Sequence, residues 1–343
     1  MSFKLGLVGL CTSHPANWVP IIRQLTAEHY VDAEVHAAWN SGQTRPAGYA
    51  KEFCREHGIP LAADRLEDMV DEVDGVIIHT ADWGRHVAQA RGFVQAGKSV
   101  LIDKPLAGNL RDARQLIEWA VAGHRLTGGS SLRFAREVRD WLARPPEERG
   151  EVQTAFTGCG TDEFNYGIHG YALLSAVMGC GVRSVQYLGT SGQRLVKVKW
   201  SDGRIGFLCV GQAAPLPFHF TAVTSRTVVQ ITVDPSHLYR DLLEGCLPYL
   251  CGINNAPPFP MDRLLEPELT ALAARQSWLQ PGSPGFIKAQ RCSWRTCGWK
   301  IPDTMAASLR WLIAVQEWEV KHASPSQAPL AHRRYETHRH APD

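Results

Sequence analysis

Short apolar runs alternate with longer amphipathic stretches over the first third of the chain. Residues 5–10 (LGLVGL), 34–39, 76–79 and 99–102 are apolar over lengths that suit buried strands. Between them, Trp18, Ile21, Ile22 and Leu25 recur at helical spacing. Residues 47–56, 85–96 and 111–122 have the same helical character, with Gly58, Gly97 and Gly123 placed to cap them. Strands separated by helices with short connections predict a parallel, doubly wound α/β sheet. After Gly123 the rhythm changes. Residues 152–157 and four or five runs between Val182 and Val233 read as strands joined by turns, Ser201-Asp202-Gly203 among them. Strands joined in this way predict a mostly antiparallel open sheet in an α+β half, followed by helical patterns at 236–250 and 267–279. The chain therefore divides into 1–123, 124–280 and an atypical tail, 281–343. The tail opens on a linker-like PGSPG at 281–285 and crowds two tryptophans and two cysteines into 292–300. A helical pattern follows at 304–321, and the last twenty residues, rich in Pro, His and Arg, are expected to be disordered.

Composition narrows the function more than the fold. Hydrophobic residues make up 44% of 343 and charged residues 20%, enough for full cores in two domains. With 36 Lys and Arg against 34 Asp and Glu, the net charge of +2 gives no footing for nucleic acid or a membrane surface. A small-molecule substrate is the expected partner. The N-terminal apolar stretch is too short for a span and lacks a leader's cleavage site, so a cytoplasmic protein is expected. Nine cysteines without a framework read as free thiols. Cys246/Cys251 and Cys292/Cys297 are spaced too widely for the tight pairs of a zinc site, and no metal is expected.

Candidate chemistry falls at the carboxyl ends of the predicted parallel strands, where open α/β sheets bind ligands. In the turn Gly9-Leu10-Cys11-Thr12-Ser13-His14-Pro15, a dinucleotide fingerprint would have glycines at 9, 11 and 14; only Gly9 is present. Thr12 and Ser13 suit a helix N-cap, Pro15 the first helical position, and His14 adds a ring N–H near a phosphate-binding helix terminus. After the second strand, Asn40 stands where a carboxylate normally binds the adenosine ribose. Nearby Arg45 would favour a 2′-phosphate. Thr80, Asp82 and His86 follow the strand at 76–79, and Asp103-Lys104-Pro105 follows the next. A lysine on so stiff a backbone is well placed to aim an ammonium group at a substrate hydroxyl.

These residues resemble the glucose–fructose oxidoreductase / inositol dehydrogenase / rhizopine-catabolism family (Gfo/Idh/MocA). Thr80-Ala81-Asp82…His86 looks like its Thr-Pro-Asn…His segment, and Asp103-Lys104-Pro105-Leu106-Ala107 like its Glu-Lys-Pro signature. Arg133-Phe134 matches the Arg-aromatic pair that opens the second domain, and Asn165-Tyr166-Gly167-Ile168-His169 its Asp-x-Gly-x-His motif. The stretch 264–269 (LLEPEL) has the same look, and the resemblance covers roughly 4–280. It implies a Rossmann domain followed by an α/β domain that forms a dimer or tetramer through its sheet. It also implies NAD or NADP as cofactor and hydride transfer at a secondary alcohol or ketone of a sugar or cyclitol. Carried over, His169 would be the acid/base and Lys104 would bond the same oxygen. Asn165 would replace the usual carboxylate, and Arg133 and Tyr166 would face the substrate. The departures at 11, 14, 40 and 165 keep two other readings open: a lyase or glycosidase with a recycled, tightly bound NAD, and a non-redox binding protein that has lost the cofactor.

Overall fold

In the computed structural model, the structure describes residues 2–42, 44–190, 192–211, 216–279 and 285–286. The first sheet comprises β1 (Phe3–Val8), β2 (Ala33–Trp39), β3 (Leu61–Ala62), β4 (Gly75–Ile78), β5 (Ser99–Asp103) and β6 (Leu126–Gly129). Their order is β3-β2-β1-β4-β5-β6, every pair parallel. Helices α1 (His14–Ala27), α2 (Tyr49–His57), α3 (His86–Gln95) and α4 (Leu110–Val121) alternate with these strands. All residues of β4 and β5 are buried, as expected of strands covered on both faces. The sheet runs past Gly123, because β6 is its sixth strand. Its sequence, LTGG, carries too little apolar signal to read as a strand. The second glycine pair member in that run is needed less than the first: a Cβ on Gly128 would fall 1.9 Å from the Ile102 carbonyl oxygen, so only glycine lets β6 lie against β5.

The second half opens with α5 (Arg136–Ala143), α6 (Pro146–Arg149), β7 (Val152–Cys159) and α7 (Gly167–Met178). Then come β8 (Val182–Thr190), β9 (Arg194–Trp200), β10 (Ile205–Val210), β11 (His219–Thr224) and β12 (Val228–Thr232). The helices α8 (Leu238–Leu250) and α9 (Met261–Leu279) follow, with β13 (Gly285–Phe286) last. The sheet order is β12-β11-β7-β10-β9-β8-β13. Neighbours are antiparallel except β7 and β10, so the sheet is mixed. Alternate residues of β10 and β11 are buried under α7, while α9 packs on β8.

Two boundaries moved. The helix expected to start at Pro267 begins at Met261 and carries Pro267 inside it. Gly285 of the expected linker pairs with Val185 as part of β13. Residues 281–284, the segment 292–300 with Cys292 and Cys297, the helical pattern 304–321 and the His-rich end lie outside the described residues. The halves are sewn together by α8, which packs on α1 with Arg240 on Glu28 at 2.5 Å and the Tyr30 hydroxyl donating to the Glu244 carbonyl. No helix among the described residues is long and apolar enough to cross a membrane.

Candidate active site

The carboxyl ends of β1, β4 and β5 bring distant residues together. Gly9 takes φ +86°, and a Cβ there would lie 2.8 Å from the Thr80 backbone, so the turn closes only around glycine. That close approach brings His14, His79 and Asp103 into one cluster whose ligating atoms all lie within 4.8 Å of one another. One Asp103 oxygen accepts the Lys104 backbone N–H at 2.7 Å. The other accepts from His14 Nδ1 and stands 3.5 Å from His79 Nδ1. His79 is fully buried, with neither ring nitrogen hydrogen-bonded. Trp18 lies edge-on to His79 at 4.6 Å, and Tyr239 of α8 stands 5.1 Å from His14. Burial would raise the Asp103 carboxyl, but the charge and hydrogen bond of His14, with the His79 ring close by, outweigh it and hold the group well below its usual range. Burial lowers His79, partly offset by Asp103.

Along the same edge, Thr12 accepts the His14 backbone N–H through its hydroxyl, and the Ser13 side chain bonds Tyr239. Arg45 stacks on Tyr49 at 4.8 Å and reaches the Leu10 carbonyl. Two buried oxygens, Thr80 Oγ1 and Asn40 Oδ1, have no partner. Asp82 accepts the Gly84 N–H and stays exposed. His86 does not join them. It was expected at the cofactor, yet it is wholly buried, its ring nitrogens 2.7 and 2.9 Å from the carbonyl oxygens of Thr80 and Pro105. It ties two strand-end loops together.

The opposing lip comes from the second half. Lys104 Nζ donates to Asn165 Oδ1 at 3.0 Å and to its carbonyl at 3.1 Å, and stands 5.3 Å from the Tyr166 ring. Tyr166 is 42% exposed, and its ring lies 5.8 Å from that of His169 in the first turn of α7. His169 Nδ1 lies 2.7 Å from Ser130 Oγ, just after β6. Asp162 shapes the loop by accepting the backbone N–H groups of Phe164 and Tyr166. Trp83 from the first half packs on Phe164 at 5.4 Å. Burial lowers Lys104, opposed by the charges of Asp103 and Asp162. Burial, followed by the Lys104 charge, holds His169 well below the ordinary histidine value of 6.5. The loop carrying Lys104 is pinned again on its far side, where Glu268 of α9 accepts the Leu106 N–H at 3.1 Å. Burial raises that carboxyl to about 7.

Arg133 does not join the lip. It was expected to face the substrate, but its guanidinium is buried against Ser175, Cys180 and the Phe259 ring. It braces α7 from behind. His79, Ser130, Asp162, Tyr239 and Glu268 were not read from the sequence as site residues, although His79 stands at a predicted strand end beside Thr80 and Glu268 lies in the 264–269 stretch. Tyr239 falls in the helix predicted at 236–250, Ser130 follows β6, which the pattern did not give, and Asp162 lies in the loop before α7.

Residues 3–127 match the family model described as an oxidoreductase family with an NAD-binding Rossmann fold (GFO_IDH_MocA). The chain is 33% identical over 146 residues to 1,5-anhydro-D-fructose reductase of Ensifer adhaerens, covering 41% of this chain and 40% of that protein. It is 31% identical over 116 residues to trans-1,2-dihydrobenzene-1,2-diol dehydrogenase of Danio rerio, covering 33% of this chain and 32% of the other. The chain thus spans well under half the length of these curated relatives. Among solved structures, scyllo-inositol dehydrogenase from Lactobacillus casei, with NAD(H) and scyllo-inositol bound, superposes at TM-score 0.67 and 15% identity. That match covers 81% of this chain and 97% of that one, and it shows the shared fold.

Proposed function

From the match of residues 3–127 to the model of an oxidoreductase family with an NAD-binding Rossmann fold, we propose that the chain is an NAD(P)-dependent dehydrogenase or reductase. Its substrate in this reading is a secondary alcohol or ketone of a sugar, cyclitol or similar polar metabolite. The observation that carries it is the meeting of Lys104 and His169 around Asn165 and Tyr166, one from each half of the chain. The names of the relatives, a reductase of 1,5-anhydro-D-fructose and a dehydrogenase of scyllo-inositol, support a polyhydroxylated substrate.

The first edge fits a dinucleotide. The Gly9 turn admits close backbone approach, and the unpartnered oxygens of Thr80 and Asn40 lie at strand ends where such folds bind phosphate and ribose. Bound there, NAD(P) supplies the hydride donor or acceptor. Gly9, Thr12, Ser13 and His14 would hold its pyrophosphate side, Asn40 and Arg45 its ribose, and Thr80, Asp82 and Asp103 the nicotinamide side. Lys104 donates to the substrate oxygen and stabilises its alkoxide character. His169, with Nδ1 on Ser130, keeps Nε2 for the same oxygen, taking a proton in oxidation and returning it in reduction. Ser130 offers a neutral hydroxyl where a carboxylate would stabilise an imidazolium, so His169 works as a neutral base with a low proton affinity. Self-association as a dimer or tetramer is part of the proposal. The second sheet's outer face presents Phe156 and Phe207 as neighbours with Val223 exposed, and sedimentation that gives a monomer would remove that part.

The deciding test is a fluorescence titration of the folded chain with NADH and NADPH, followed by turnover screens on sugars and cyclitols. Micromolar binding of one of them, with turnover abolished in Lys104→Ala, is the expected result. Absence of binding by both in protein free of pre-bound nucleotide would end the reading.

A further inference from the structure

We propose that His14, His79 and Asp103 form a site for one divalent transition-metal ion of the zinc class. The site goes beyond the hydride-transfer reading, and because it shares His14 and Asp103 with the proposed cofactor edge, metal and dinucleotide compete for that edge. Two imidazoles and one carboxylate from the ends of β4 and β5 and the start of α1 present one ligand atom each, all within 4.8 Å of one another. This is a three-ligand N/N/O set that zinc accepts, with a fourth position left for water or an oxygen of a bound ligand.

The second observation is His79. Its side chain has 0% exposure, and neither Nδ1 nor Nε2 has a hydrogen-bond partner. A buried polar group without a partner is destabilising, and each one calls for an explanation. A metal bond satisfies one of those nitrogens directly. The carboxylate is already divided for the task. One Asp103 oxygen is fixed by the Lys104 backbone N–H, and the other faces both imidazoles. Hydrogen bonding of this kind to a ligating carboxylate is what orients metal ligands in known sites. Trp18 and Tyr239 wall the cluster on its apolar side, and His14 is 16% exposed, which leaves an approach for the ion. The Lys104 ammonium points away, to Asn165.

The experiment uses the full chain, stripped with a chelator and titrated with Zn²⁺ against a chromophoric competitor, and separately with Co²⁺ followed by visible absorption. Wild type should bind one more equivalent than His79→Gln, and Asp103→Asn should weaken the remaining affinity by more than about tenfold. Zn²⁺ should raise the melting temperature of wild type and leave that of His79→Gln unchanged. The Co²⁺ spectrum should show ligand-field bands without thiolate charge transfer, which separates this site from the cysteines. Should His79→Gln fail to fold, the partly exposed His14→Gln carries the same comparison. Equal stoichiometry and affinity in wild type and the folded variants would overturn the site, as would a thiolate band that accounts for all bound Co²⁺. An NADH titration of the metal-free wild type tests the hydride-transfer reading by itself, and Zn²⁺ or Co²⁺ binding without nucleotide tests the metal site by itself, so the two proposals can be told apart.

Discussion

The edge of the first sheet and the lip of the second half both place a histidine against a polar partner, and they do so in opposite electrostatic terms. At the edge, Asp103 is ionised and shared between His14 and His79. At the lip, His169 has only the Ser130 hydroxyl, with the Lys104 charge working against its protonation. The difference shows that residue type does not set a histidine's task. A carboxylate makes the first pair a place for positive charge, whereas a hydroxyl and a nearby ammonium make the second a neutral proton acceptor. Lys104 belongs to both regions, its backbone N–H on Asp103 and its ammonium on Asn165.

The largest test of this contrast is Lys104→Ala, which removes the ammonium that reaches Asn165 and leaves the backbone N–H on Asp103. Turnover should fall by about a thousandfold, in line with the loss of a donor at a developing oxyanion, with NADH affinity retained in a fluorescence titration. Retained turnover would break the division of labour. Next is Gly9→Ala, which attacks the edge alone. The added Cβ meets the Thr80 backbone at positive φ, and chemical denaturation should show a loss of about 3 kcal/mol. Nucleotide binding should fall with it, and the pH profile of any remaining turnover should not move.

Acid then compares the two regions in one titration. His79 and His169 both have folded-state values below 6.5, so between pH 6.5 and those values the unfolded chain binds more protons than the folded one. Stability is therefore full above pH 6.5 and is lost as pH falls below it, by up to about 1.4 kcal/mol per pH unit for each histidine. Denaturant midpoints should drop between pH 6.5 and 5 in wild type, and less steeply in His169→Gln. An unchanged slope would show that His169 is not held neutral. The smallest effect belongs to Ser130→Ala, where kcat should fall about tenfold with KM unchanged and Ser130→Thr should restore it. A purely structural Ser130 would move the melting temperature and leave that split untouched.

The parallel sheet was legible because its strands are buried on both faces and read as unbroken apolar runs, such as Gly75–Ile78. The missing strand β6 was invisible for the converse reason: its fit depends on Gly128 lying against Ile102, a contact that leaves no hydrophobic mark. The candidate lysine and histidine could be named because they sit in short local motifs. The residues that support their surroundings could not, since Ser130, Tyr239 and Glu268 arrive from separate elements, across sequence separations such as the 162 residues between Leu106 and Glu268. His86 and Arg133 misled for a related reason. Polar residues inside a functional motif invite a ligand role, yet here they satisfy backbone carbonyls and brace a helix.

Glu268 and His86 grip the loop after β5 from opposite sides, one reaching from α9 and the other from α3. For recombination this means the chain is not two interchangeable modules. A chimera that joins this first half to a foreign second half inherits Lys104 but loses one of the two clamps that aim it, unless the incoming α9 brings a carboxylate to the same place. Transplanting position 268 along with the first half keeps the backbone clamp, and position 165 must come with it to give the ammonium its partner.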